Sequence, residues 1–262
     1  MPEAPGPESG AGVVTWIGHS TVLVELGGVR LLTDPVLRGR VAQLRRLPAL
    51  GALPAGVDVV LVSHAHFDHL DPPSLARLGR DQRIVVPEGT GSTLRRHGFR
   101  RVDQVRAGDE VRIGAVAVRA THAEHAGHRF APFARRWRGR EGGVALGYVI
   151  AGPRLVYFAG DTDLFAGMAD LAPGLSLALL PVSGWGPRVG PGHLDPLRAA
   201  EALRLLRPEV AVPIHWGTFA PLWWRAAPGD RVEPALAFRR HAHDLAPSVD
   251  VRVLAPGDRT VF

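Results

Sequence analysis

The sequence has no cysteine. That excludes disulfide scaffolds, thiolate metal sites, iron–sulfur clusters and cysteine nucleophiles. It has no run of about 18 uninterrupted apolar residues, so no membrane span is expected. Its longest apolar run, around 175–182, has the length of a buried strand. Residues 1–12 have neither the positive nor the apolar region of a signal peptide. They read as a flexible, Pro/Gly/Glu-rich lead-in, and the expected location is the cytoplasm. Basic blocks and aromatic–basic repeats are also missing, so no dedicated nucleic-acid module is expected. Histidine, by contrast, is plentiful, with 12 copies among 262 residues. Without thiols, any bound metal must be held by imidazole and carboxylate.

Apolar residues make up 46% of the chain and charged residues 21%, an ordinary globular balance. The length suits one domain with a real core, here 13–262. The net charge is +6, carried by arginine. Such a charge fits an anionic small-molecule substrate. It fits equally a composition biased toward Gly, Ala, Pro and Arg. Self-association is left open.

Alternating and buried-strand patterns predict strands at 13–17, 21–26, 29–33, 57–63, 83–86, 111–113, 116–120, 148–150, 155–159, 175–181, 210–213, 249–254 and 260–262. Helices are expected at 72–78, 91–97, 195–206 and 232–241, the third with Pro196 in its first turn. Residues 38–53 read as a loop with a short helix, and periodicity disappears over 124–141. Hairpins and buried parallel strands are mixed in each half, with helices near each half's end. The expected class is α/β: two mixed β-sheets packed face to face and flanked by helices, a four-layer αβ/βα sandwich.

The strongest motif is His64-Ala65-His66-Phe67-Asp68-His69, directly after a buried strand. Side chains two apart on extended backbone share a face, so His64 and His66 reach one point. A turn at Phe67 then lets Asp68 and His69 reach a second. So many ionisable groups at a strand's end are costly to bury without compensation. His122, Asp161 and His215 also follow strands, where open α/β sheets place function. Two metals about 3.5–4 Å apart need a bridging oxygen ligand, and a carboxylate supplies one. Imidazole and carboxylate suit zinc, with manganese or iron as alternatives.

Through the six-residue motif the sequence resembles the metallo-β-lactamase superfamily. It looks similar to the branch with ascorbate-6-phosphate lactonase and N-acyl-phosphatidylethanolamine phospholipase D. That likeness rests on Thr15-Trp16-Ile17-Gly18-His19-Ser20-Thr21 and Leu32-Thr33-Asp34-Pro35. Gly192-His193-Leu194-Asp195-Pro196 and Ile214-His215-Trp216 add to it. It spans about 13–257 and agrees with the sandwich expected above. The resemblance implies two divalent ions, one held by His64, His66 and His122, the other by Asp68, His69 and His215. It implies Asp161 as their bridge. His193 corresponds to a catalytic histidine near the metals, able to stabilise an oxyanion or protonate a leaving group. His19 and Asp34 match positions that support the ligands.

Two departures from the family pattern stand out. Three histidines, His122, His125 and His128, occupy a stretch where one ligand is expected. His122 is chosen because it directly follows its strand; His125 and His128 are the alternatives, as ligand or substrate contact. The same stretch continues through Arg129, Arg135, Arg136 and Trp137, a substrate loop for phosphate or carboxylate, or simply a solvated loop. Trp216, with Phe219, Leu222, Trp223 and Trp224, either walls an apolar pocket or belongs to the core or an interface.

The expected chemistry is hydrolysis of a phosphodiester, or of a lactone or ester, by a hydroxide at a dinuclear site, with Asp68 essential. The competing readings are a nuclease of the same superfamily and a non-catalytic metal-binding or structural protein. Neither an added clamp domain nor a nucleic-acid module supports the first. The complete ligand set speaks against the second. A redox role ranks lower still, because no flavin domain is present.

Overall fold

The computed structural model describes residues 10–126, 143–185, 189–225 and 227–262. In chain order the first half runs β1 (Val13–Gly18), β2 (Thr21–Leu26), β3 (Val29–Thr33), the short β4 (Arg40–Val41) and β5 (Leu44–Arg46), β6 (Val59–Leu61), α1 (Pro72–Leu78), β7 (Arg83–Pro87), α2 (Gly91–Arg96) and β8 (Arg101–Val105). The second half runs β9 (Glu110–Ile113), β10 (Val116–His122), β11 (Leu146–Ala151), β12 (Leu155–Phe158), β13 (Leu177–Pro181), α3 (Pro196–Leu206), β14 (Val210–Ile214), β15 (Phe219–Pro221), α4 (Pro228–Leu245), β16 (Asp250–Val251) and β17 (Arg259–Val261).

Among the described residues the strands form two seven-stranded sheets and one small one. The first sheet has the order β17-β1-β2-β3-β6-β7-β8, the second β16-β14-β13-β12-β11-β10-β9. Each begins with antiparallel hairpins and continues with parallel strands. Strand periodicity sorts the side chains between layers. In β6, Val59 and Leu61 face the second sheet and join one core with Tyr148, Ile150, Phe158 and Leu179. Val60, between them, faces outward and packs with Leu75 of α1 and Leu94 of α2. Leu203 of α3 and Phe238 of α4 cover the second sheet. The expected αβ/βα sandwich is therefore the observed one.

Local chemistry sets the helix ends. Asp71 caps α1 by accepting from the Ser74 N–H at 3.1 Å, and Asp195 caps α3 by accepting from the Arg198 N–H at 2.8 Å. Each helix then opens on proline. Helix α4 starts at Pro228, earlier than its apolar period indicates, where Asp230 accepts from the Ala227 N–H at 3.2 Å. Residues 38–53 differ from expectation. They hold β4 and β5, which pair with each other, with β5 also pairing with β15 in the third sheet, and no helix. Of the expected lead-in, 1–9 lies outside the described residues, and Gly12 exchanges two backbone hydrogen bonds with Phe262 (3.0 and 2.9 Å). Within the described residues no helix is long and apolar enough to cross a membrane.

Candidate metal centre

Strands of both sheets end at one edge of the sandwich and deliver polar side chains to a common point. His19 follows β1, Asp34 follows β3, and Ser63 and His64 follow β6. Asp161 lies beyond β12, and His215 follows β14 directly. His19, Asp34 and His215 hold φ values of +57°, +34° and +62°. Side-chain sterics disfavour that region for residues other than glycine. Hydrogen bonds hold it in place here. The Thr218 hydroxyl accepts from the His19 N–H at 2.7 Å. The His19 carbonyl accepts from the Trp16 indole at 2.8 Å and from the His215 N–H at 3.0 Å. Strain retained at a cluster of chemically active groups is a signature of function.

The side chains form two donor groups. In the first, His66 Nδ1 lies 2.9 Å from His64 Nε2 and 3.2 Å from His125 Nε2. In the second, Asp68 Oδ2 lies 3.8 Å from His69 Nε2 and 3.7 Å from His215 Nε2, and those two nitrogens are 3.3 Å apart. Asp161 stands between the groups. Its Oδ2 is 3.8 Å from His64 Nε2 and 3.1 Å from His69 Nε2, and its Oδ1 is 3.3 Å from His215 Nε2.

Three observations fit this cluster to divalent ions. Donors about 2.0–2.2 Å from a tetrahedral ion lie roughly 3.3–3.5 Å from one another, close to the spacings above. Second, the outer nitrogens are committed. His69 Nδ1 meets Asp34 Oδ2 at 2.7 Å, His215 Nδ1 the Ser183 carbonyl at 2.6 Å, and His125 Nδ1 the Gly192 carbonyl at 2.7 Å. A carbonyl or carboxylate only accepts, so each Nδ1 carries a proton, and Nε2 is the nitrogen each ring would offer to a cation as a lone pair once the ring is neutral. Third, Asp161 Oδ1 is buried without a properly formed hydrogen bond, despite its closeness to His215.

Charge points the same way. Burial opposes ionisation of Asp68 and Asp161, yet the histidines around them, His69 and His19 at Asp68 and His215 and His69 at Asp161, hold both well below the usual carboxylate range. Burial also opposes a charged His69, but Asp161, Asp68 and Asp34 raise its pKa well above the ordinary value. Burial drives His64 well down, His125 down to about 4 and His19 down to about 3. The centre thus gathers buried carboxylate charge that its imidazoles compensate only in part, and divalent cations would balance it. His193 stands at the mouth, its Nε2 3.5 Å from Asp161 Oδ2 and its side chain 23% exposed. Burial lowers its pKa, but the hydrogen bond and charge of Asp161 outweigh this and raise it to about 9.

The structure brings together most of the residues singled out in the sequence and separates two. His122 is not in the cluster. It is exposed, 3.3 Å from Glu124 Oε2, with its ring edge-on to Phe165. The chain needs three more residues to turn inward. Ala123 is buried, Glu124 bridges to Asp163, and His125 then faces His66. Trp216 turns away from the cluster into the core. It is buried, stacks on Trp16 at 4.6 Å, and donates its indole N–H to the Pro213 carbonyl. His128, Arg129, Arg135, Arg136 and Trp137 lie outside the described residues.

His19 and Asp34 do contact the donor groups: His19 Nε2 is 3.1 Å from Asp68 Oδ2, and Asp34 holds His69. Phe219 packs its ring edge on His19, Trp223 is 77% exposed, and Trp224 lines a cavity of about 770 Å³ with Val182, Ser183, Val189, Phe219 and Pro234. Two contacts had no signal in the sequence. The Trp185 indole donates to Asp68 Oδ2 at 2.7 Å, and the Ser63 hydroxyl sits 2.9 Å from His64 Nδ1.

Comparison with known proteins places this centre in context. Residues 29–216 match the family model of the β-lactamase superfamily domain. An uncharacterized protein of Mycobacterium tuberculosis is 34% identical, over 94% of this chain and 68% of its own. A UPF0173 metal-dependent hydrolase of Methanopyrus kandleri is 30% identical, over 94% of this chain and 97% of its own. Among solved structures, Igni18, a metallo hydrolase of Ignicoccus hospitalis, superposes with a TM-score of 0.71 at 26% identity, covering 96% of this chain and 98% of its own. The chain belongs to the β-lactamase superfamily.

Proposed function

We propose that the protein is a metal-dependent hydrolase acting at a carbonyl centre, an ester or lactone, with two divalent ions, zinc in first place, at the donor groups described. The observation that carries this reading is Asp161 standing between two complete donor groups, within 3.1–3.8 Å of His64, His69 and His215. Relatives named as metal-dependent hydrolases support it. His64, His66 and His125 would hold one ion, and Asp68, His69 and His215 the other, with Asp161 shared. Ions held there would supply Lewis acidity and lower the pKa of a water from 15.7 toward about 7, giving a nucleophile at neutral pH.

The chain's own groups do the rest. Trp185 and His19 fix the Asp68 carboxylate by hydrogen bonds to Oδ2. Asp34, Ser183 and Gly192 fix the tautomers of His69, His215 and His125. His193 Nε2, at the exposed side of Asp161, is placed to donate a proton to a developing oxyanion or leaving group. Phe67 and Trp185, with ring centroids 6.0 Å apart, pack on the apolar cluster of Val36, Leu44 and Phe219 beside Asp68. An apolar wall next to the reacting centre favours an acyl or aryl substrate over a small sugar phosphate.

A panel on zinc-reconstituted protein tests this: 4-nitrophenyl esters, aliphatic and aryl lactones, and bis(4-nitrophenyl) phosphate, with RNA as competitor. Ester or lactone turnover is expected, insensitive to RNA and lost by about three orders of magnitude in Asp68→Asn. Retained activity in that variant would remove Asp68 from the mechanism. Turnover of the phosphodiester alone would move the chemistry to phosphorus, and competition by RNA would favour a nuclease.

A further inference from the structure

Ser63 is fully buried between β6 and the donor groups. Its backbone N–H donates to Asp34 Oδ1 at 2.7 Å, and its hydroxyl lies 2.6 Å from Asp34 Oδ2. The same hydroxyl oxygen lies 2.9 Å from His64 Nδ1 and 3.5 Å from His69 Nδ1. Asp34 Oδ2 also faces His69 Nδ1 at 2.7 Å. Three donors aimed at one buried carboxylate leave it accepting throughout.

The direction of each hydrogen bond follows. The carboxylate has no proton to give, so the Ser63 hydroxyl donates to it. The hydroxyl proton is then spent, so at His64 the hydroxyl can only accept, and His64 Nδ1 must be the donor. His64 Nε2 is left with a lone pair toward His66 and Asp161. The chain of bonds runs from His64 through Ser63 to Asp34, and His69 reaches the same carboxylate directly. His64 belongs to the first donor group and His69 to the second.

We propose that Ser63 is a positioning residue that ties both donor groups to one buried carboxylate, setting the His64 tautomer through a hydroxyl relay. This rests on the reading that the two groups hold metal ions. Gly160 keeps the relay seated. A Cβ on Gly160 would stand 2.5 Å from Ser63 Cβ and 3.0 Å from the Leu146 carbonyl, and its φ is +61°. Only glycine fits there without moving Ser63.

The relay makes an asymmetric prediction. Ser63→Ala removes the acceptor for His64 but leaves the direct bond from His69 to Asp34. Asp34→Asn disturbs both. Zinc is titrated into metal-free protein against a chelating dye. Wild type is expected to take two ions. Ser63→Ala is expected to weaken one site by about tenfold to hundredfold, the usual effect of losing an outer partner, and to leave the other within about threefold. Asp34→Asn is expected to weaken both. A two-bond hydrogen–nitrogen NMR spectrum of zinc-loaded wild type needs no variant. It is expected to show protons on Nδ1 of both His64 and His69. Equal loss at both sites in Ser63→Ala, no loss at either, or a proton on His64 Nε2 would overturn the relay. Wild type binding fewer than two ions would instead overturn the two-metal reading on which the relay rests.

Discussion

Replacing His125 by alanine is expected to cost the first metal ion at least about a hundredfold in affinity, more than loss of an outer partner typically costs. Replacing His122 by alanine is expected to leave both affinities within about threefold. The physical difference between the two is burial and direction. His125 presents Nε2 to His66 at 3.2 Å, with Nδ1 locked on the Gly192 carbonyl. His122 points to solvent beside Glu124. Paired zinc titrations of the two variants measure the contrast. A reversed result would mean that the strand-end residue, not the residue after the turn, is the ligand. Activity should follow the same order, because an incomplete first group leaves Asp161 poorly compensated.

The second large effect is expected at Asp161. Among the described residues, its carboxylate lies within 4 Å of members of both donor groups and of His193. Asp161→Ala is expected to weaken both ions together and to lower kcat/KM by about a thousandfold or more, roughly 4 kcal/mol of transition-state stabilisation. Asp161→Asn preserves the shape but removes the charge that stands between the two donor groups, and is expected to lose nearly as much. Equilibrium metal titration alongside ester kinetics separates this from a substrate-contact role. Normal metal affinities with reduced kcat would demote Asp161 from bridge to neighbour.

Much of this centre was legible in the sequence. His64, His66, Asp68 and His69 lie within six residues after an apolar strand, where strand geometry already aims alternate side chains to one side. Asp161 and His215 were visible because each follows a buried strand. Strand periodicity tells where a strand stops but not how many residues the backbone spends turning back. That is why His122 looked preferable to His125: the bridge between Glu124 and Asp163, which sets the turn, is a long-range contact. The same limit hid the short pair β4 and β5, because β5 is held in its sheet by β15, some 170 residues away in the chain. Strand β8 escaped notice because Arg101, Asp103 and Gln104 dilute its apolar signal; only Val102 and Val105 are buried. Ser63 and Trp185 carry no spacing signature. Their roles exist only once β3 and β6 lie side by side in the first sheet, which places a hydroxyl against Asp34, and the chain beyond β13 of the second sheet brings an indole to Asp68.

Trp216 teaches a related lesson. A tryptophan next to a metal ligand reads as a pocket wall, but neighbours on a chain leaving a strand face opposite ways. His215 turns to the centre while Trp216 turns into the core against Trp16. The apolar surface beside the centre comes instead from Phe67 and Trp185.

The most direct measurement is the metal content of wild-type protein after metal-replete purification, read by elemental analysis and confirmed by zinc titration into the metal-free form. Two ions per chain are expected, falling to about one in His125→Ala and remaining two in His122→Ala. Clearly fewer than two ions per chain in the wild type would contradict a dinuclear hydrolase centre at this edge of the sandwich.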